Sequence, residues 1–146
     1  MTMRKKLIYM TMRKKFIQTT ITGYLNENYK LSSYITLNEL YDGEYPDQNE
    51  LIWEYVTHND FNDVKFKIIE INVNEYFDKF KDEIKHISSE QKRIIKNYQD
   101  NINNIKDNII VVNSYDHLII DGYHRLAAFY FSGIEKIKAL DLSEEL

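Results

Sequence analysis

The chain has 146 residues with 43% hydrophobic side chains and only four glycines and one proline. This length is enough for one domain with an ordinary hydrophobic core and too short for two domains of typical size. Twelve Tyr, seven Phe and one Trp exclude a disordered chain, and the absence of cysteine excludes disulfides, a thiolate nucleophile and cysteine zinc sites. The formal net charge of −4 is unevenly spread along the chain, and its distribution bears on whether a nucleic-acid partner is expected.

The N-terminal segment is basic and contains a near-exact tandem copy. Residues 1–8 recur at 10–17 with a period of nine, a spacing that matches no common structural repeat, so we interpret it as a short duplication. The alternative interpretation is a basic arm that binds nucleic acid or an acidic partner surface. The first twenty residues carry six basic side chains and no acid, which leaves 13 basic and 23 acidic residues, a net charge of −10, in the rest. A nucleic-acid partner is therefore conceivable but not favoured, because duplex binding normally needs a basic stripe.

The N-terminus lacks the apolar core and small-residue cleavage site of a secretory signal. No apolar run approaches the roughly 18 residues that span a bilayer. We therefore expect a cytoplasmic protein with no membrane partner.

Helical signals dominate the first sixty residues. Apolar residues at helical spacing predict an amphipathic helix over 16–31, and Thr36 is placed to cap a short helix that follows. Asp47 with Glu50, three residues on, reads as a capping box that opens a helix through His58. We expect these helices to pack on the rest of the chain.

The middle of the chain predicts one strand and two helices. Residues 64–73 alternate apolar and polar side chains on both sides of a slip at 68–69, which predicts a strand that carries a bulge. Asn74 is placed to cap the first helix, and Ser88 with Gln91 forms a capping box for the second. The lysine-rich outer faces of these helices are expected to be solvated.

The C-terminal stretch predicts a β-hairpin followed by a helix and a strand. The hairpin strands are expected over 109–112 and 117–120, the helix over 123–132, and the returning strand over 135–142. Gly133 stands where a left-handed helix C-cap is common. Strand, short helix and strand predict a right-handed crossover that joins two parallel strands.

The segment Asp121-Gly-Tyr-His-Arg125, between the second hairpin strand and the helix, has the features of an anion-binding turn. Gly122 permits a tight turn with close approach of backbone and ligand, and the amides of residues 122–125 are exposed at the helix start. His124 and Arg125 add hydrogen-bond donors, of which the guanidinium is always charged. Asp121 is expected either to cap the helix or to hold a divalent cation that bridges phosphates.

A purely structural interpretation of this segment stays open at this point. In it Asp-Gly is only a turn, Asp121 only caps the helix, and Arg125 is a salt-bridge partner. Short motifs predict sites poorly, so spacing alone does not choose between the two interpretations. The scattered histidines at 58, 86 and 117 show no metal-ligand spacing and are expected to be ordinary surface or half-buried residues.

The motif Ile119-Ile-Asp-Gly-Tyr-His-Arg-Leu-Ala-Ala128, with Gly133 and the apolar strand after it, resembles the ParB/sulfiredoxin superfamily. The similarity covers about residues 109–142 and extends more weakly to the strand at 64–73. It implies an α/β (α+β) fold with a small mixed sheet over 61–146. Residues 1–60, the basic arm and helical extension, have no counterpart in the family.

The resemblance implies binding of ATP, ADP or CTP, usually with Mg²⁺, with the phosphates on the turn formed by Asp121, Gly122, Tyr123, His124 and Arg125. An enzyme of this kind would catalyse ATP-dependent phosphoryl transfer or nucleotide hydrolysis. The candidates for its catalytic groups are Asp121 and His124 in the turn and Glu70 and Glu75 as a base, with Asp121 also the candidate metal ligand. Tyr123 stands where sulfiredoxins typically have a cysteine, which argues against their reductase activity.

The sequence leaves two alternative functions open. A non-catalytic phage or mobile-element accessory protein would keep the fold and bind and inhibit a host protein. A DNA-binding protein or nuclease would use the basic arm to hold nucleic acid. The substitution of Arg125 separates the nucleotide-binding protein from the docking protein, since only the first depends on this guanidinium.

Overall fold

A mixed sheet of five strands organises the part of the chain that this computed structural model describes, which is residues 29–58, 64–105 and 108–145. The sheet order is β1-β2-β5-β3-β4. The β3–β5 pair is parallel and the other three pairs are antiparallel. The strands are β1 (Tyr34–Ile35), β2 (Phe66–Asn72), β3 (Ile110–Asn113), β4 (Leu118–Asp121) and β5 (Lys136–Glu145).

Helices cover both faces of the sheet, which makes the expected mixed α+β fold a three-layer arrangement. In chain order the helices are α1 (Leu37–Tyr41), α2 (Glu50–His58), α3 (Val73–Phe77), α4 (Lys81–Ile84), α5 (Ser89–Asp100), α6 (Ile102–Ile105) and α7 (Tyr123–Phe131). One core lies between the sheet and α3, α5, α6 and α7, and a second core lies between the other face and the α1–α2 segment. Because both faces are covered, the central strand β3 is apolar on both sides, and Ile110, Val111 and Val112 are all buried.

Residues 34–58 share a sheet and a core with the C-terminal part of the chain. β1 pairs with β2, and Leu37 and Ile52, from α1 and α2, are fully buried against strand residues. The predicted boundary between residues 60 and 61 falls within 59–63, which lie outside the described residues. The basic tandem copy and the predicted helix over 16–31 also lie outside them as far as residue 28, and residues 29–31 are not helical.

The helix caps confirm two predictions and correct others. Thr36 and Ser88 both form complete capping boxes at the starts of α1 and α5. Asp47 does not cap α2, because Asn49 occupies that position and its Oδ1 accepts a hydrogen bond from the amide of Ile52 at 3.1 Å. Asn74 does not cap α3 either, since it lies inside this helix, which begins at Val73.

The predicted bulge at 68–69 is in the wrong place. Ile68 and Ile69 pair regularly with Leu140 and Ala139 of β5, and the register shifts instead between Phe66 and Lys67. Ile68 packs in one core and Ile69 against the other. Two adjacent apolar residues therefore reflect a sheet buried on both faces, not a slip of the alternation.

The prediction that β4 and β5 are parallel strands joined by a crossover is also wrong. β5 pairs in parallel with β3, the first strand of the hairpin, while β4 lies beyond β3 at the edge of the sheet and runs antiparallel to it. The connection from β4 through α7 therefore joins antiparallel strands. Consequently Asp121 ends an antiparallel edge strand, and the rule that places ligands at the carboxyl ends of parallel strands does not apply to it.

None of the helices in the described ranges combines the length and the apolar character that crossing a membrane requires.

Candidate functional site

The turn between β4 and α7 leaves the start of the helix without a side-chain cap. Gly122 holds the N-cap position with a φ of +116°, and its carbonyl accepts the first helical hydrogen bond, from Leu126 at 2.8 Å. The predicted capping role of Asp121 is therefore wrong, because this residue lies one position earlier and makes no cap hydrogen bond. The amides of residues 123–125 have no acceptor within the helix. They concentrate partial positive charge at its N-terminus.

Gly122 is required by packing at this turn. A β-carbon on it would lie 2.5 Å from Cγ2 and 2.7 Å from Cβ of Ile110, and 3.3 Å from Nη2 of Arg125. From the sequence, this glycine is expected to allow close approach of a ligand. The structure shows that strand β3 occupies the space on that side, so the glycine allows α7 to start close to the sheet.

The carboxylate of Asp121 joins two segments far apart in the chain. Its Oδ2 accepts a hydrogen bond from the hydroxyl of Tyr41 at 2.6 Å and lies 3.8 Å from Nη2 of Arg125. The other guanidinium nitrogen, Nη1, donates to the carbonyl of Ile109 at 3.4 Å. Both side chains of the ion pair are largely buried, at 16% and 20% exposed. Arg125 therefore forms the salt bridge that the purely structural interpretation of this segment predicts, and its partner is Asp121.

His124 contributes a buried ring atom without a partner. Its Nε2 is inaccessible and makes no hydrogen bond, and its ring packs edge-on against Tyr123. Burial lowers the pKa of His124 below the usual 6.5, because the charged imidazolium would lose its hydration. At neutral pH the ring is therefore neutral, and Arg125 is the charged donor of the turn.

The two predicted base residues lie away from this turn. Glu70 is on β2, three strands from β4, and faces Lys136 at 3.8 Å, so with a strand spacing of about 4.8 Å it stands roughly 14 Å away across the sheet. Glu75 accepts from the Asn72 side chain at 3.2 Å and lies 3.8 Å from His117 at the opposite end of β4. The structure brings neither carboxylate to Asp121.

Two residues of the α1–α2 segment contact the site and were not predicted from the sequence. Tyr41 reaches Asp121, and the side-chain amide of Asn49 donates to the carbonyl of Ile120 at 2.7 Å. This carbonyl belongs to the edge strand β4, where backbone groups on the outer side have no neighbouring strand to pair with. Asn49 supplies the hydrogen-bond donor for it. No local pattern marks either contact, because the partners are 80 and 71 residues apart.

The polar groups present suit a phosphate better than a metal held by the protein alone. The uncapped amides and the guanidinium form a donor set for an anion. Within the described ranges, no three His, Cys, Asp or Glu side chains are grouped to share a metal ion. Asp121 retains Oδ1, which has no hydrogen-bond partner there. One carboxylate oxygen suits Mg²⁺ that takes its other ligands from phosphate and water.

Comparisons of the chain with protein-family models, with curated proteins and with solved structures gave no match.

Proposed function

We propose that this chain is a ParB/sulfiredoxin-like protein that binds the phosphates of ATP, ADP or CTP at the first turn of α7. The observation that carries the proposal is the start of this helix, which no side chain caps and which lies beside the guanidinium of Arg125. Backbone amides and the helix dipole favour an anion there, and a charged donor strengthens the hydrogen bonds. The motif at 119–128 supports the same conclusion by its resemblance to that superfamily.

Each group of the turn has a distinct role in the proposal. The amides of residues 123–125 bind phosphate oxygens, and Arg125 supplies the positive charge. His124 stays neutral and packs against Tyr123, so it adds no charge to the site. Asp121 orients Arg125 through Oδ2, and its Oδ1 offers one ligand to Mg²⁺ that arrives with the nucleotide.

Turnover is an extension of this proposal. Phosphoryl transfer and nucleotide hydrolysis demand mainly positioning and charge neutralisation, which this donor set supplies in part. The candidates Glu70 and Glu75 have no role in it, because they contact Lys136 and His117 instead of the turn. Any base for the attacking group would have to come from elsewhere.

Replacing Arg125 with alanine is expected to weaken nucleotide binding about 10- to 100-fold, because hydrogen bonds to a charged group are worth about 1.5–3 kcal/mol. Isothermal titration calorimetry with ATP, ADP and CTP, each with and without Mg²⁺, measures this change. Micromolar binding by the wild type that the variant loses is the expected result.

The matched control is Arg93→Ala on α5, where the side chain is 72% exposed and lies 4.0 Å from Glu90. This variant should bind as the wild type does. Because Arg125 is packed into the fold, thermal unfolding of Arg125→Ala must show a folded protein before its affinity is interpreted. A folded variant with unchanged affinity contradicts the proposed role of the guanidinium.

A further inference from the structure

The side chain of Tyr41, in the α1–α2 segment, directly contacts the turn that is proposed to bind phosphate. Its hydroxyl donates to Oδ2 of Asp121 at 2.6 Å, and the same oxygen faces Nη2 of Arg125 at 3.8 Å. Arg125 in turn donates to the carbonyl of Ile109 at 3.4 Å. A single chain of polar contacts therefore runs from the phenol to the guanidinium.

The structure holds this tyrosine firmly. α1, which ends at Tyr41, starts at a complete capping box formed by Thr36 and Glu39, and the ring packs edge-on against Tyr45 at a centroid distance of 5.7 Å. Burial, followed by the charge of Asp121 and the hydrogen bond to it, raises the pKa of Tyr41 well above 10. The phenol therefore stays protonated at neutral pH and can donate to the carboxylate.

The position of Asp121 gives this contact a consequence for anion binding. A carboxylate one residue before the N-cap of α7 is close enough in sequence to compete for the amides at the start of the helix, as acidic capping residues do. It would also repel a phosphate. In the structure the carboxylate instead accepts from the phenol and faces Arg125, and no side chain caps the helix.

We propose that Tyr41 is a positioning residue that restrains the carboxylate of Asp121, so that Arg125 is oriented and the amides of α7 stay available for an anion. This inference rests on the proposed function for its effect on phosphate. The contact itself does not, because the hydroxyl, the carboxylate and the guanidinium form their chain without a ligand.

Replacing Tyr41 with phenylalanine is expected to weaken ATP binding about three- to tenfold, or by about 0.65–1.4 kcal/mol, because the carboxylate loses a hydrogen bond but keeps its ion pair with Arg125. The matched control is Tyr115→Phe, since Tyr115 is 91% exposed. A double-mutant cycle with Asp121 tests whether the effect of Tyr41 on affinity acts through this carboxylate. In the Asp121→Ala background, where the phenol has lost its acceptor, Tyr41→Phe should change the affinity less than twofold.

A second readout needs no nucleotide. The side-chain Nε–H signal of Arg125 in a ¹⁵N NMR spectrum should shift or broaden in Tyr41→Phe and stay unchanged in Tyr115→Phe. A wild type that binds no ATP, with an Arg125 signal that depends on Tyr41, supports the positioning role and overturns the proposed function. A wild type that binds ATP, with both affinity and Arg125 signal unchanged in Tyr41→Phe, overturns the positioning role alone.

Discussion

Replacing Gly122 with alanine is expected to lower the free energy of unfolding by about 2–4 kcal/mol, one of the two largest effects of any single substitution considered in this protein. Two costs add. A non-glycine residue is strained at a φ of +116°, and the new β-carbon would lie 2.5 Å from Ile110 on the neighbouring strand. Urea denaturation of the purified variant measures the loss.

Gly133→Ala is the control that separates these two costs. Gly133 also has a positive φ, +75°, but no atom lies within 4 Å of the position of its β-carbon. Only the backbone cost applies there, so a loss of about 1 kcal/mol is expected. Equal losses at the two glycines would contradict the account of close packing between α7 and β3.

Replacing Asp141 with alanine should lower the free energy of unfolding by about 3 kcal/mol, because it leaves two partly buried amides, those of Ser114 and Ser143, without this acceptor, at about 1–3 kcal/mol each. Asp141 is 8% exposed on β5. Its carboxylate accepts from the amides of Ser114 and Ser143, both at 3.0 Å, and from the hydroxyl of Ser114 at 2.5 Å. These bonds fix the turn of the β3–β4 hairpin against β5. Chemical denaturation at neutral pH measures the loss.

The same carboxylate predicts a dependence of stability on pH. Burial alone would raise the pKa of Asp141, but the hydrogen bonds from Ser114 and Ser143 lower it below 3.8 overall. A carboxyl group with a depressed folded-state pKa stabilises the fold above its unfolded pKa and loses this contribution as the pH falls through the folded value. The stabilisation from Asp141 is therefore present above about pH 4 and lost below it.

Asp141→Asn keeps the shape and the amide contacts but removes the charge. It should cost less than the alanine variant at neutral pH and lose less stability than the wild type below about pH 4. Asp116→Asn, in the exposed hairpin turn, is the control. A wild type and an Asp141→Asn variant with parallel acid-unfolding curves would contradict the assignment.

Local signals account for the parts of the fold that could be predicted from the sequence. The capping boxes at Thr36 and Ser88 and the left-handed Gly133 involve residues within four positions of one another. The hairpin was also predicted, because two apolar strands joined by a short polar turn pair with each other. Strand order was not, since the parallel pairing of β5 with β3 instead of β4 depends on the whole sheet.

The candidate site shows the same division. The turn at Gly122 and the helix after it were placed correctly, because glycine, the strand before it and the apolar helix face are all local. The role of Asp121 as a cap was wrong, since Gly122 itself takes the N-cap position. The contact of Asp121 with Tyr41 spans 80 residues. No pattern along the chain indicates which of the twelve tyrosines reaches the turn.

The central claim is that phosphates bind at the first turn of α7, and a ¹⁵N NMR titration of the wild type with Mg²⁺-ATP tests it most directly. We expect the largest shifts at the backbone amides of residues 122–125 and at the side-chain Nε–H of Arg125, with the amides of β2, three strands away from β4, unmoved. Absence of shifts at the turn, or shifts centred elsewhere, would contradict the claim.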